Sequence, residues 1–443
     1  MKRNLLLILT ICLTTVVLAQ DTKQFTQNIR GIITDKLTKQ PLPGATIIID
    51  KQPIIGTVTD ENGNFNFSDI EIGRINFKIS YIGYKPITIP NISLNSAKEL
   101  FLNLELEEDV FITDEIVVTA KQDKAKTINK LATVSARTFS VEETEKYAGS
   151  LGDPARMASN FAGISMVNDS RNDIVIRGNS PTGLLWRLDG VEIPNPNHFG
   201  ASGTTGGPVS MLNNNLLANS DFFTSAFPAE YGNALSGVFD LKMRNGNNKQ
   251  REYLGQIGFN GFELGAEGPF KKDYNGSYLV SYRYSTLGIF SALGIDFGTG
   301  SAIPQYQDLT FKINLPSYKY GKFSLFGISG NSYIELNDSE VRSDNEDQNF
   351  IGGGVDLNYG TTTNAIGLSH LYFINKNTRI KTTVSVQSAT NETQIDSLSF
   401  DEDNNYIEGS NWLYYSSEIK DFKYSASTRI IKKINPRNNF SVG

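Results

Sequence analysis

The chain has little of several chemistries. Its one cysteine, Cys12, falls in the first twenty residues. If that stretch is removed, no thiol remains, so neither a disulfide framework nor a thiolate site is available. There are two histidines, His198 and His370, and two tryptophans. Beyond the first twenty residues no apolar run is long enough for a membrane helix, which needs about 20 residues. Net charge is mild, with 41 basic against 47 acidic residues. That balance gives no basic footprint for nucleic acid.

What is present starts with a leader. Lys2 and Arg3 precede the apolar run Leu5–Leu18, and Val17-Leu18-Ala19 ends it before Gln20. This is the pattern of a secretory signal peptide over 1–19. No cysteine follows Ala19, which argues against a lipid anchor. The remainder has 11% aromatics and 39 glycines in 443 residues. It reads as mainly β, and membrane-crossing strands stay compatible with weak hydropathy.

The zone 28–108 carries short β-branched runs at Ile29–Thr34, Ala45–Ile49, Thr57–Thr59, Asn64–Phe67, Ile75–Ile82 and Glu99–Leu106. Turn residues at Pro41–Gly44 and Asp60–Gly63 separate them. The spacing predicts a small antiparallel sandwich. A charged linker, 109–132, follows, with the β-prone heptad Asp114, Glu115, Ile116, Val117, Val118, Thr119, Ala120 inside it. That heptad suits either the last strand of the sandwich or addition to another protein's sheet edge.

From 133 to 247 helix and strand signals mix. Asp153 and Pro154 read as N-cap and first position of a helix over Ala155–Phe161. Asp173–Gly178 reads as a strand. Leu184–Leu188 and Val191–Ile193 read as a hairpin around Asp189 and Gly190, a strong two-residue turn signal. Pro194–Pro208 reads as a loop, its glycine-rich part 200–207 as a flexible one, and Ser236–Met243 as a strand.

Two resemblances rest on these residues. Arg30–Asp35, Pro41–Ala45, Gly56–Asp60 and Gly63–Phe65 resemble a carboxypeptidase regulatory-like domain, with an Ig-like or prealbumin-like β-sandwich. No peptidase comes with it, because zinc ligands of the right kind are missing. Asn172–Gly178, Trp186–Pro194 and Phe227–Gly237 resemble the α+β plug domain of TonB-dependent outer-membrane receptors. The order of domains is similar to the Bacteroidetes type of general receptor. That resemblance implies that Asp114–Ala120 is the TonB box and that Arg177, Gly178, Asp189 and Gly190 are plug motif residues.

From 250 to 443 long strands alternate. Tyr278, Val280, Tyr282 and Tyr284 share one face, and Ser277, Ser281 and Arg283 the other. Leu309–Leu315 and Ile380–Val386 repeat the pattern. A soluble sandwich has the same period, but connection lengths discriminate. Tight turns at 271–275, 316–321, 375–377 and 435–438 alternate with long polar segments at 288–304, 335–349 and 391–411. That alternation predicts the first part of a transmembrane antiparallel β-barrel facing a wet lumen, eight or nine strands of it. A plugged barrel has about 22 strands. The barrel is therefore expected to be incomplete here.

Candidate sites are few. Asn195, Asn197, His198 and Phe199 lie where the resemblance puts the substrate-facing apex of the plug, loop packing being the alternative. Arg177 is read as a buried ion-pair partner for a wall carboxylate. His370, within a strand, reads as structural. The acidic segments Glu335–Asp347 and Asp401–Asp403 read as solvated loops; Asp401–Trp412 lacks the glycine and glutamate of a calcium loop. No catalytic constellation, metal site or cofactor is expected. The resemblance implies an outer-membrane importer of a small nutrient, its N-terminal domain in the periplasm, with TonB and lipid as partners. The alternative is a surface adhesin or a signalling receptor without transport.

Overall fold

The computed structural model describes residues 25–51, 53–96, 98–109, 136–139, 141–258, 261–272, 274–285, 304–341, 354–401 and 406–443. The segment 1–19 expected to be a leader and the heptad Asp114–Ala120 lie outside the described residues. The chain divides into two compact units: residues 1–122 with 431–440, and 123–430 with 441–443.

The first unit holds a sandwich of seven strands: β1 (Thr26–Asp35), β2 (Thr46–Ile49), β3 (Ile55–Val58), β4 (Asn64–Glu71), β5 (Gly73–Ser80), β6 (Ile87–Leu94) and β7 (Leu100–Leu106). One sheet runs β4-β1-β7 and the other β3-β2-β5-β6. Alternation along each strand sends Ile29, Ile33, Ile47, Ile49, Phe77 and Ile79 into a closed apolar core. The structure corrects the sequence reading twice. β7 pairs with β1 in parallel, so the sandwich is not purely antiparallel. β6 was not foreseen because Pro90 interrupts it; it lies at a sheet edge, where a missing N–H is tolerated. Asp35 ends β1 by accepting hydrogen bonds from the Leu37 and Thr38 amides at 2.8 and 2.6 Å, which turns the chain.

The second unit begins with the middle domain. Its elements are β8 (Ala136–Phe139), α1 (Val141–Lys146), α2 (Pro154–Ala158), β9 (Ile164–Met166), β10 (Ile174–Ile176), β11 (Leu184–Leu188), β12 (Val191–Ile193), β13 (Asn197–His198), β14 (Val209–Ser210), β15 (Leu217–Phe223) and β16 (Gly237–Met243). The helix start follows the sequence: Asp153 accepts from the Ala155 amide at 2.7 Å, with Pro154 at the first position. The helix is shorter than expected. A five-stranded sheet, β12-β11-β16-β15-β8, stacks Trp186, Phe239 and Phe222 across three neighbouring strands. Phe239 lies 4.3 Å from both other rings.

Nine strands follow in one sheet, in chain order: β17 (Glu252–Gly258), β18 (Gly261–Pro269), β19 (Ser277–Tyr284), β20 (Gln305–Ser317), β21 (Gly321–Asn337), β22 (Val355–Asn375), β23 (Thr378–Ser397), β24 (Trp412–Lys433) and β25 (Asn439–Val442). A short helix, α3 (Asp338–Val341), follows β21. The strands outrun their expected ends, so Glu335–Asn337 and Asn391–Ser397 are strand and not loop. β22 to β24 are 20 to 22 residues long. The far face of β22 changes character along its length. Ile366, Leu368, Tyr372 and Ile374 make its half near the short turns apolar, whereas Asn358, Thr362 and Asn364 make the other half polar. Side-chain hydrogen bonds link that polar half across strands, from Ser329 to Asn364 at 2.6 Å and Asn364 to Ser388 at 3.1 Å.

Candidate functional site: the face between the middle domain and the sheet

The near face of the long-strand sheet packs on the middle domain. Parity decides which side chains meet there. In β20, Asp308, Thr310 and Lys312 point in and are buried, while Leu309 and Leu315 point away and are exposed. The inward face is polar, as the alternation predicted, but along β19 to β21 much of it is covered by the middle domain and is not wet. Leu279, Phe326, Ile328 and Ala365 of the sheet join the middle domain's apolar core. Two sheet glycines permit the approach. A Cβ on Gly330 would lie 2.3 Å from Met211, and one on Gly367 would lie 2.7 Å from Val191.

One cluster centres on Asp308. Its Oδ2 lies 3.0 Å from His198 Nε2 and accepts from Arg283 Nε at 2.8 Å. Arg283 also donates to the Ser210 carbonyl at 2.6 Å. Two sheet residues and two middle-domain residues thus share one buried knot. Tyr306 covers it, 4.7 Å from the His198 ring and edge-on to Phe199. Burial holds the His198 imidazole below its ordinary range, against the pull of Asp308. A neutral ring donating from Nε2 to the carboxylate fits this geometry.

The adjoining loop is tied down on both sides. The Phe199 amide donates to Ser332 Oγ at 3.0 Å. The Gly200 carbonyl accepts from Tyr359 at 3.1 Å and from Asn391 at 2.8 Å. Within the loop, Asn195 donates to the Thr204 and Gly206 carbonyls, both at 3.1 Å. Asn197 donates to Asn195 and accepts from Asn172. Trp186 Nε1 donates to the Thr205 carbonyl at 3.0 Å. The glycine-rich stretch is therefore not a flexible loop throughout. Gly206 and Gly207 are buried, and a Cβ on either would come within 2.4 and 2.7 Å of Asp173 and the His198 carbonyl.

A second group of contacts lies around the β11–β12 turn. Asp189 and Gly190 both adopt positive φ, +51° and +95°, and close the hairpin between Leu188 and Val191. That places Asp189 Oδ2 2.8 Å from Lys312 Nζ, and its carbonyl 3.2 Å from Lys381 Nζ. Glu192 pairs with Lys423, and Glu230 with Arg429. On the other flank the polarity reverses. Glu263 and Glu267 of β18 take Asn213 at 2.6 Å and Arg244 at 2.6 and 2.8 Å.

The sequence-derived site residues therefore fare differently. Asn195, Asn197, His198 and Phe199 come together, all buried, with their polar groups engaged inside the protein. Arg177 does not take the buried ion-pair role. It is exposed, at φ +50°, and its guanidinium reaches Thr224 at 3.5 Å. Arg283, on the sheet, is buried and pairs with Asp308. Gly178, also exposed, takes φ +80° beside it. Arg283 and Lys312 stood out in the sequence only as charges at inward positions of alternating strands; nothing local named their partners. His370 stacks on Phe323 at 4.2 Å and hydrogen-bonds the Tyr320 carbonyl. Among the described residues no group of three or more His, Cys, Asp or Glu side chains is placed to hold a metal ion.

A nine-strand meander packed on an α+β domain, with a small sandwich earlier in the chain, defines a mainly β, multidomain class of protein. Residues 29–118 match the family model described as a CarboxypepD_reg-like domain. No curated protein matches the chain. Among solved structures it is similar to a ferric enterobactin receptor mutant from Pseudomonas aeruginosa in complex with enterobactin, at 14% identity and TM-score 0.40, over 67% of this chain and 46% of that one. It is also similar to the outer membrane transporter YddB from Escherichia coli, at 11% identity and TM-score 0.34, over 67% and 54%. The siderophore receptor PirA from Acinetobacter baumannii gives 13% and 0.41, over 68% and 45%. The chain spans about half the length of these structures.

Proposed function

We propose that the protein is a TonB-dependent outer-membrane receptor that brings a small nutrient into the periplasm. The middle domain acts as its plug and the long-strand sheet as barrel wall. One observation carries this reading: the plug is fastened to the wall by discrete polar contacts, such as His198–Asp308 and Asp189–Lys312, beside a limited apolar seam. Polar contacts of this kind exchange for water when an element moves, so a pulled plug shifts without the whole protein unfolding. Ligand binding outside frees the heptad Asp114–Ala120 on the periplasmic side. TonB then adds itself as a strand along it and pulls. Asn195, Asn197, His198 and Phe199 act at the apex, holding it to the wall until the plug is released. No chemistry on the ligand is required.

Deleting Asp114–Ala120 tests the reading in cells that express the protein. Uptake of the ligand is expected to stop while binding at the cell surface persists. Uptake that survives the deletion contradicts TonB coupling. Extraction without detergent, with no heat-dependent shift in gel mobility, would instead favour a soluble adhesin.

A further inference from the structure

The two ends of the sheet differ in charge. The three short turns from β18 to β23 comprise 270–276, 318–320 and 376–377. They carry Lys271, Lys272, Lys319 and Lys376 against one acid, Asp273. The long connections 285–304, 338–354 and 398–411 hold one, five and four acidic residues respectively, against a single base, Arg342. At the short-turn end, on the face turned away from the plug, lies an open groove of about 590 Å³. Ser317, Lys319, Tyr320, Phe323, His370 and Tyr372 line it. Phe323 and His370 stack face to face, 8° from parallel, and form its floor. Lys319 lies over the Tyr320 ring, 5.2 Å from the centroid, and is exposed, as is Tyr320. The apolar band of β21 and β22, Leu325, Ile366 and Leu368, begins one step further along the same face.

From this arrangement we infer that the short-turn rim binds anionic phospholipid, with the Lys319 groove as its focus. The inference rests on the membrane reading above. Aromatic side chains concentrate where the hydrocarbon meets the headgroups, since their rings are apolar and their edges polar. Here the rings of Tyr320, Phe323 and Tyr372 flank the space for an upper acyl chain, and the Ser317 hydroxyl and Lys319 ammonium stand at headgroup depth. A phosphodiester is the complementary group for an ammonium beside a hydroxyl. Lys376 on the neighbouring turn, and Lys271 and Lys272 on the one before, extend the same potential along the rim. The acidic far end has the opposite preference, so the attraction is confined to the periplasmic leaflet.

The full-length protein, with every barrel strand present, is inserted into bilayer discs of phosphatidylethanolamine with phosphatidylglycerol, and lipids retained after gentle release are counted by native mass spectrometry. Retained lipid is expected to be enriched in phosphatidylglycerol. Lys319→Gln should lower that enrichment about five-fold, the effect of one lysine at an anionic surface, and Lys376→Gln should lower it further. Lys319→Arg should keep it, and Glu408→Gln at the far end should leave it unchanged. No enrichment in the unaltered protein, or enrichment that survives both glutamine variants, overturns the inference. A full-length protein, carrying all its barrel strands, that does not insert contradicts the membrane reading; one that inserts without lipid preference contradicts only this inference.

Discussion

The sandwich and the middle domain are both small β-rich folds, but they close their cores differently. The sandwich buries Ile33, Phe77 and Leu106 entirely among its own seven strands. The middle domain shares its apolar cluster with Leu279, Phe326, Ile328 and Ala365 of the long-strand sheet, and fringes that seam with ion pairs. A self-contained core is stable wherever the domain goes. A shared core ringed by exchangeable polar contacts is stable only where its partner surface lies. The difference suits one domain to be a fixed module and the other to be the moving plug proposed above.

Substitutions can break that comparison. Phe77→Ala should cost about 3–5 kcal/mol, the usual effect of emptying an aromatic site. The loss should appear in the sandwich alone, read by hydrogen exchange along β1 to β7 while the plug stays protected. Asp308→Ala should cost the plug–wall contact a comparable amount, about 3–5 kcal/mol, because Arg283 is left buried without its carboxylate. Its mark would be faster exchange at Ser210 to Leu212 with an unchanged sandwich. Equal loosening of both domains by either variant would erase the distinction drawn between them.

A smaller effect depends on pH. The folded His198 imidazole titrates below its ordinary value of 6.5 because it is buried. Its contribution is therefore complete above about pH 6.5 and fades as pH falls, since the unfolded ring takes a proton before the folded one does. Protection of the plug apex should decline on mild acidification. His198→Gln, which keeps a donor for Asp308, should flatten that part of the profile. An unaltered profile in the variant would assign the dependence to another group.

How much of this was legible beforehand follows from the range of each interaction. The Asp189–Gly190 hairpin and the Asp153 cap are local, decided within a few residues, and both form where the sequence puts them. Pairing between distant segments was not legible: β1 and β7 run parallel although each reads only as a short apolar strand. Nor did the sequence identify Arg283 and Asp308 as partners of His198 and Ser210. Alternation gave their side of the strand, but the partner depends on how the plug sits against the wall. Arg177 misled for a related reason. A positive φ turns its backbone, and the side chain points out to Thr224 instead of into the seam.

The central claim, that the plug must move against the wall, has a direct test. Cys12 is the one cysteine of these 443 residues, and Cys12→Ser removes it as a competing thiol. A Cβ on Gly367 would lie 2.7 Å from Val191 Cγ2 but 2.5 Å from the Phe326 ring, so a Val191→Cys, Gly367→Cys disulfide is made together with Phe326→Leu to give it room. Uptake should stop when that bond is oxidised and return on reduction, with surface binding the same in both states. Full uptake through the oxidised, verified disulfide would contradict the account.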